Sequence, residues 1–279
     1  MKSLFVNNES SLVCGIAQFG RNMVHALLEE GVDVEMWDGC YPVVKASGQY
    51  LPYDRLDTFD IVHFNWHPIV INHYGPGHFP DDIKLSLYVN DIPPWSGCPV
   101  FDQADIRFAS QECEGCITIP YPCVAYTPQD TFIPGTVGTT GIRADGTSMV
   151  ELVCTKHGFE CVGRTPEWVP IEREVERLGN CAFNMLWYYA ARGISGGAGT
   201  VVAAERPVLL NSSPMFDHFR GAKDIYWSSD YNEDPYEAAA VVMREVVDGK
   251  AKRPWHTKKK FGWPRAAEQF IGAWENLLR

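Results

Sequence analysis

The stretch GISGGAGT, residues 193 to 200, combines four glycines with a serine and a threonine. It follows an apolar run and opens a segment of small residues, as a turn between a strand and a helix would. Such a turn aims unpaired backbone N–H groups and a positive helix end at an anion, and glycines let the backbone approach that anion closely. Ser195, Gly196, Gly197 and Thr200 are therefore candidates for holding a phosphate. Two other turns have the same character. Gly15, in CGIAQFG, lies between a first strand and a first helix, and Arg143, in TVGTTGIRADG, adds a fixed cation with a bidentate fork. Three such turns favour a diphosphate ligand. Two further strands end in polar residues: FDIVHFNW leads to Asn65, Trp66 and His67, and IKLSLYVND ends on Asn90 and Asp91. Chemistry in open α/β sheets sits at the carboxyl ends of strands, which puts Asn65, Trp66, His67, Asn90 and Asp91 where it is expected.

These residues need a scaffold of alternating strands and helices. SLFVNN reads as a strand. Ile16, Phe19, Met23, Val24, Leu27 and Leu28 recur at helical spacing until Gly31, and VDVEMWD reads as a second strand. Strand, helix and strand within about 40 residues make a βαβ unit and predict a parallel sheet covered on both faces. The proline-rich ITIPYPCVAYTPQDTFIPG interrupts the rhythm and reads as a connection between domains, placed here at 1–134 and 135–279. Beyond it the alternation resumes: TVGTTG, DGTSMVELVCTKHG, FECVG, PIEREVERLG, CAFNMLWYY, the glycine turn and PVLLNSS. DPYEAAAVVMREVVDG carries an Asp234 N-cap, Pro235 at the first helical position and Gly249 past the end. The last helix places Trp263, Ala267, Phe270, Ile271, Trp274 and Leu278 on one side.

Composition narrows the partners. A net charge of −11 over 279 residues argues against broad nucleic-acid binding, because phosphate neutralisation needs clustered cations. One stretch departs from this balance. GKAKRPWHTKKKFGWPR, 249 to 265, has seven Lys or Arg and no acid; it reads as a solvated connection before the last helix, with a polyanion contact through Lys258, Lys259 and Lys260 as the alternative. Nine cysteines suit buried free thiols, while Cys98, Cys113, Cys116 and Cys123 could form a zinc site that lacks a second C-x-x-C. No apolar run approaches the roughly 18 residues of a membrane helix, and the N-terminus lacks a secretory signal, so a cytoplasmic location is expected.

Several segments together resemble the GT-B-fold glycosyltransferases, in particular the large retaining family that includes sucrose, trehalose-type and bacterial cell-surface transferases. CGIAQFGRNMVHALLEEGVDVEMWD resembles their opening segment, FDIVHFNWHP and LYVNDIPP their D-V-V-H strand and H-D-I-P-P loop, TVGTTGIR and FECVGRT the first strands of their nucleotide-binding half, and FGWPRAAEQFIGAWENLL their closing helix. The resemblance implies two Rossmann-like domains facing a cleft, with the last helix packing back on the N-terminal one. It also implies transfer of a sugar from a nucleotide-sugar (UDP- or GDP-linked) without cofactor or metal. In the retaining chemistry a diphosphate oxygen takes the acceptor proton. An inverting version needs a base, Asp91 or His67. Gly15 matches the glycine facing the diphosphate, Arg143 lies near the basic clamp, and Ser195 to Gly197 match the loop beneath sugar and phosphate. Two departures stand out. The glutamates usual across this loop are replaced by Arg192 and Thr200, and the histidine of H-D-I-P-P is Asn90. Glu205, where the family prefers glycine, reads as a surface residue. The acceptor is a saccharide, a small aglycone or a modified DNA base, as phage transferases use. A degenerate sugar-nucleotide-binding protein without turnover is the alternative.

Overall fold

The computed structural model describes residues 1–8, 15–40, 53–66, 82–90, 100–124, 131–140, 144–163, 169–189 and 195–279. His67, Asp91, Arg143, Cys98 and Arg192 lie outside these residues. The chain divides into two compact units, one comprising 1–120 with 263–279 and the other 121–262.

The first unit is built on β1 (Lys2–Asn8), β2 (Asp33–Cys40), β3 (Ile61–Trp66), β4 (Lys84–Val89), β5 (Ile106–Ala109) and β6 (Ile117–Thr118), with α1 (Gly15–Glu29) between the first two. Among the described residues the strand order is β2-β1-β3-β4-β5-β6, and every pairing is parallel. β3 is buried along its whole length, the expected state of a strand covered on both faces. The chain leaves β1 for β2 on one side and returns to β3 on the other, so the order reverses between β1 and β3. Open α/β sheets bind ligands at the carboxyl ends of the strands at such a point.

The closing helix α7 (Trp263–Leu278) belongs to this first unit. It buries Trp263, Ala266, Ala267, Phe270 and Trp274. Phe270 stacks on Phe108 at 4.3 Å between ring centroids, and Trp274 donates from Nε1 to Ser86 Oγ at 2.8 Å. Two of the expected face residues differ: Ile271 is half-buried and Leu278 exposed. Ile271 sits about 100° around the helix from Phe270, and Leu278 lies in the last turn.

The second unit holds β7 (Ile133–Gly138), α2 (Ala144–His157), β8 (Glu160–Val162), α3 (Ile171–Gly179), β9 (Cys181–Leu186), α4 (Gly196–Ala203), β10 (Val208–Leu210), β11 (Tyr226–Trp227), α5 (Pro235–Val247) and α6 (Trp255–Lys260). Its strands are again all parallel, in the order β11-β10-β9-β7-β8 among the described residues. Here the reversal lies between β7 and β9. The capping signals of α5 act as expected: Asp234 Oδ1 accepts from Tyr236 N and Glu237 N, and Gly249 adopts φ 66° beyond the end. Within the 249–265 stretch the lysine run forms a short helix, α6, on which Trp255, His256, Lys259 and Lys260 are exposed.

Candidate functional site

In the second unit the glycine turn lies at the reversal point. Ser195 caps α4: its Oγ accepts from Ala198 N at 3.2 Å and donates to Tyr188 Oη at 3.3 Å. This cap uses the N–H of Ala198 and leaves those of Gly196 and Gly197 with no partner among the described residues. The two glycines differ in what surrounds them. A Cβ on Gly197 would stand 2.9 Å from Thr140 Oγ1, just past β7, whereas one on exposed Gly196 would meet nothing nearer than Tyr121 at 4.0 Å. Packing requires a glycine at 197; the one at 196 leaves open space in front of the helix end.

Thr200 points inward. It is buried, and its hydroxyl donates to Gly196 O at 3.2 Å within the same helix. It braces the turn from behind. Glu205 is half-buried and more engaged than a surface residue: its φ of 55° explains why a glycine suits this position, and its carboxylate pairs with Lys258 Nζ at 2.6 Å and accepts from Trp255 Nε1 at 3.2 Å.

Three residues that carried no sequence signal also shape this end of the sheet. Tyr188 is gripped by Asn211, whose Oδ1 accepts from Tyr188 N at 3.1 Å while its Nδ2 donates to Tyr188 O at 2.8 Å. Arg177 donates to Thr139 O at 2.9 Å and Val162 O at 2.7 Å, tying the ends of β7 and β8, with Glu174 Oε1 2.6 Å away. Only their positions after strands or on a helix could have pointed to them, because the groups they hold are distant in sequence.

At the reversal point of the first unit, three asparagines form a ladder across the strand ends. Asn90 Nδ2 donates to Asn65 Oδ1 at 2.7 Å and to Trp66 O at 3.0 Å; Asn65 Nδ2 donates to Asn7 Oδ1 and to Ile16 O, both at 2.8 Å; Asn7 Nδ2 donates to Ala17 O at 2.9 Å. The ladder therefore runs from Asn90 to the first turn of α1, where Gly15 sits. Asn7 fills the space that makes Gly20 necessary, since a Cβ there would collide with its amide. Gly15 has no such reason: nothing lies within 4 Å of its hypothetical Cβ, and it is exposed.

His63, in the middle of β3, is a core residue. Phe5, Phe270 and Trp274 surround it at centroid distances of 4.5, 5.1 and 5.6 Å, Nδ1 shares a 2.8 Å hydrogen bond with Ser86 Oγ, and burial lowers its pKa to about 3.

Cys98, one of the four zinc candidates, lies outside the described residues. Among the described residues no group of three or more His, Cys, Asp or Glu could hold a metal ion, and Cys123 is buried in the second unit, its thiol pushed up to about 12 by that burial. No helix of the described residues is long and apolar enough to cross a membrane.

No protein-family model matches the chain, and no curated protein matches its sequence. Solved structures do match its fold. AviGT4, a glycosyltransferase involved in avilamycin A biosynthesis, aligns with a TM-score of 0.63 at 13% identity over 100% of this chain and 98% of its own. An alpha-glucosyltransferase in complex with UDP-glucose and DNA containing an abasic site aligns with a TM-score of 0.66 at 11% identity, covering 99% and 98%. HepE of Anabaena, in complex with UDP, aligns with a TM-score of 0.60 at 10% identity, covering 99% and 100%. The fold of this chain is thus the GT-B fold of these glycosyltransferases.

Proposed function

We propose that the chain is a glycosyltransferase that moves a sugar from UDP-sugar to an acceptor. The observation that carries this reading is the α4 end at the β7/β9 reversal. There Gly196 and Gly197 present N–H groups with no partner among the described residues, and Gly196 lacks a side chain for no packing reason. A leaving diphosphate needs stabilised negative charge above all, which preorganised N–H donors supply. Arg143, which precedes α2 in sequence, is the cation assigned to the same phosphate in this reading, and Gly15 opens a helix start of the same kind in the first unit. The charge is met by these groups without a metal. The uridine sits on the second unit.

The acceptor proton passes to the donor's own phosphate oxygen, with retention at the anomeric carbon. In the inverting alternative Asp91 or His67 takes it. Asn90 is then a positioning residue, because its amide nitrogen is committed to Asn65 and Trp66. Thr200 supports the turn and supplies no ribose contact. Solved structures of the same fold with UDP or UDP-glucose bound support the donor class. A structure of that fold with DNA bound makes a modified DNA base the second acceptor reading, beside a saccharide or small aglycone.

Thermal melting with UDP, GDP and their glucose conjugates, each with and without chelator, tests the donor. A ligand at about 100 times its Kd raises stability by about 2.7 kcal/mol. Arg143→Ala should weaken UDP by about 1.5–3 kcal/mol, the range for a hydrogen bond to a charged group. Unaltered melting with every nucleotide would end this reading; binding without transfer or hydrolysis of any sugar nucleotide would leave a non-catalytic binder.

A further inference from the structure

We propose that α6 and the turn at 220–224 form a docking surface for duplex DNA, gripping its phosphate backbone. The inference rests on the DNA-acceptor reading above and gives that acceptor a place on the second unit.

Two adjoining grooves, about 440 and 410 Å³, share the wall formed by residues Arg220 to Lys223. The first continues past His256, Thr257 and Lys260 on α6, and the second past Ser229, Asp230 and Lys252. Four cations thus line the two adjoining grooves: Arg220 and Lys223 on the shared wall, Lys260 in the first and Lys252 in the second. Lys259 stands exposed beside them, as does Trp255 at 57% exposure. The carboxylates nearby include Asp217, Asp224, Asp230 and Glu245, the last held by the Tyr226 hydroxyl that also accepts from Lys252 N at 2.8 Å. Asp217 pairs with Arg220 at 2.5 Å, and Asp224 accepts from both the backbone N–H and the hydroxyl of Thr257, which leaves Asp230 in the second groove.

Lys258 plays a different part from its neighbours. It turns to the inner side of α6, donating to Ala203 O at 3.1 Å and pairing with Glu205 at 2.6 Å. Together with the Asp224–Thr257 contacts, it fixes α6 so that Lys259 and Lys260 face outward on a preformed surface.

Charge complementarity selects the partner. The chain carries −11 overall, yet 249–265 contains no acid. A duplex presents one charge per roughly 1.7 Å of axis, so cations spread over two adjoining grooves match it better than one small anion.

Fluorescence anisotropy of the full chain with a labelled 20-base-pair duplex over a salt series is the test. Affinity should fall linearly on a log–log plot, with a slope of about −0.9 per neutralised phosphate. The triple variant Lys223→Ala, Lys252→Ala, Lys260→Ala should flatten that slope by about 0.9 for each phosphate no longer neutralised, whereas Arg173→Ala, an exposed cation on α3, should not change it. An unchanged slope in the triple variant, or no salt-dependent binding by the parent, overturns the proposal. UDP-induced melting shifts are read in parallel. DNA binding without a UDP shift defeats the donor reading alone, and a UDP shift without DNA binding defeats the docking surface alone.

Discussion

Gly196 and Gly197 are neighbours in sequence but lack side chains for different reasons. Gly197 yields its space to Thr140, whereas Gly196 and, in the first unit, Gly15 face open space at helix starts. Neither exposed glycine is required by positive φ. Alanine at either position should therefore be neutral for stability or favourable by up to about 0.5–1 kcal/mol, since a helical glycine carries an entropic cost. Its methyl group should nevertheless obstruct a phosphate approaching the N–H groups. Gly15→Ala and Gly196→Ala are expected to melt at or above the parent temperature while binding UDP more weakly in calorimetry. Gly197→Ala should instead lower stability by about 1–3 kcal/mol through overpacking against Thr140. Full UDP affinity in both exposed variants would remove the turns from the donor site.

At the scale of elements, α6 shows how tertiary anchoring decides a short helix. Six residues cannot sustain a helix by local propensity, and WHTKKK carries no apolar periodicity. Its helical state depends on inward contacts of Thr257 with Asp224 and of Lys258 with Glu205. Lys258→Ala should thus cost about 1–2 kcal/mol by leaving the Glu205 carboxylate with less support, while exposed Lys259→Ala should stay within about 0.5 kcal/mol. Chemical denaturation of the two variants checks this, and equal effects would contradict the anchor. The same dependence explains what the sequence revealed and what it hid. Buried runs such as IVHFNW, the caps of α5 and the glycine stops carry local signals, and the elements follow them. α6 has no such signal because its partners are about 30 to 50 residues away. The asparagine ladder is equally silent: Asn7, Asn65 and Asn90 become neighbours only when β1, β3 and β4 pair in parallel.

Among the described residues, each unit contains one histidine held neutral by burial, and both contribute to the response to acid. His63 lies among aromatic rings in the first unit, and His218 packs on Phe219 at 4.0 Å in the second; burial lowers both pKa values from 6.5 to about 3. Neither ring can accept a proton in the folded state until the pH approaches 3, whereas the unfolded chain binds one at each position below about 6.5. Protons therefore favour unfolding throughout that window. The stability is fully present above pH 6.5 and declines as the pH falls toward 3, by up to about 1.4 kcal/mol per pH unit for each histidine. Between about pH 6.5 and 5 carboxylates with ordinary pKa values are still ionised, so calorimetry in this interval, compared between parent and variants, reads the contribution of the two histidines. The parent should lose stability steeply there. His63→Phe replaces one imidazole with a ring suited to the same aromatic surroundings, at a cost of about 1 kcal/mol for the hydrogen bond to Ser86, and His218→Phe likewise removes the imidazole of the second unit. Each substitution should remove its share of the slope, and the double variant should be the flattest of the set from about pH 6.5 to 5. An acid slope as steep in the double variant as in the parent would mean that neither histidine is held neutral in the folded protein.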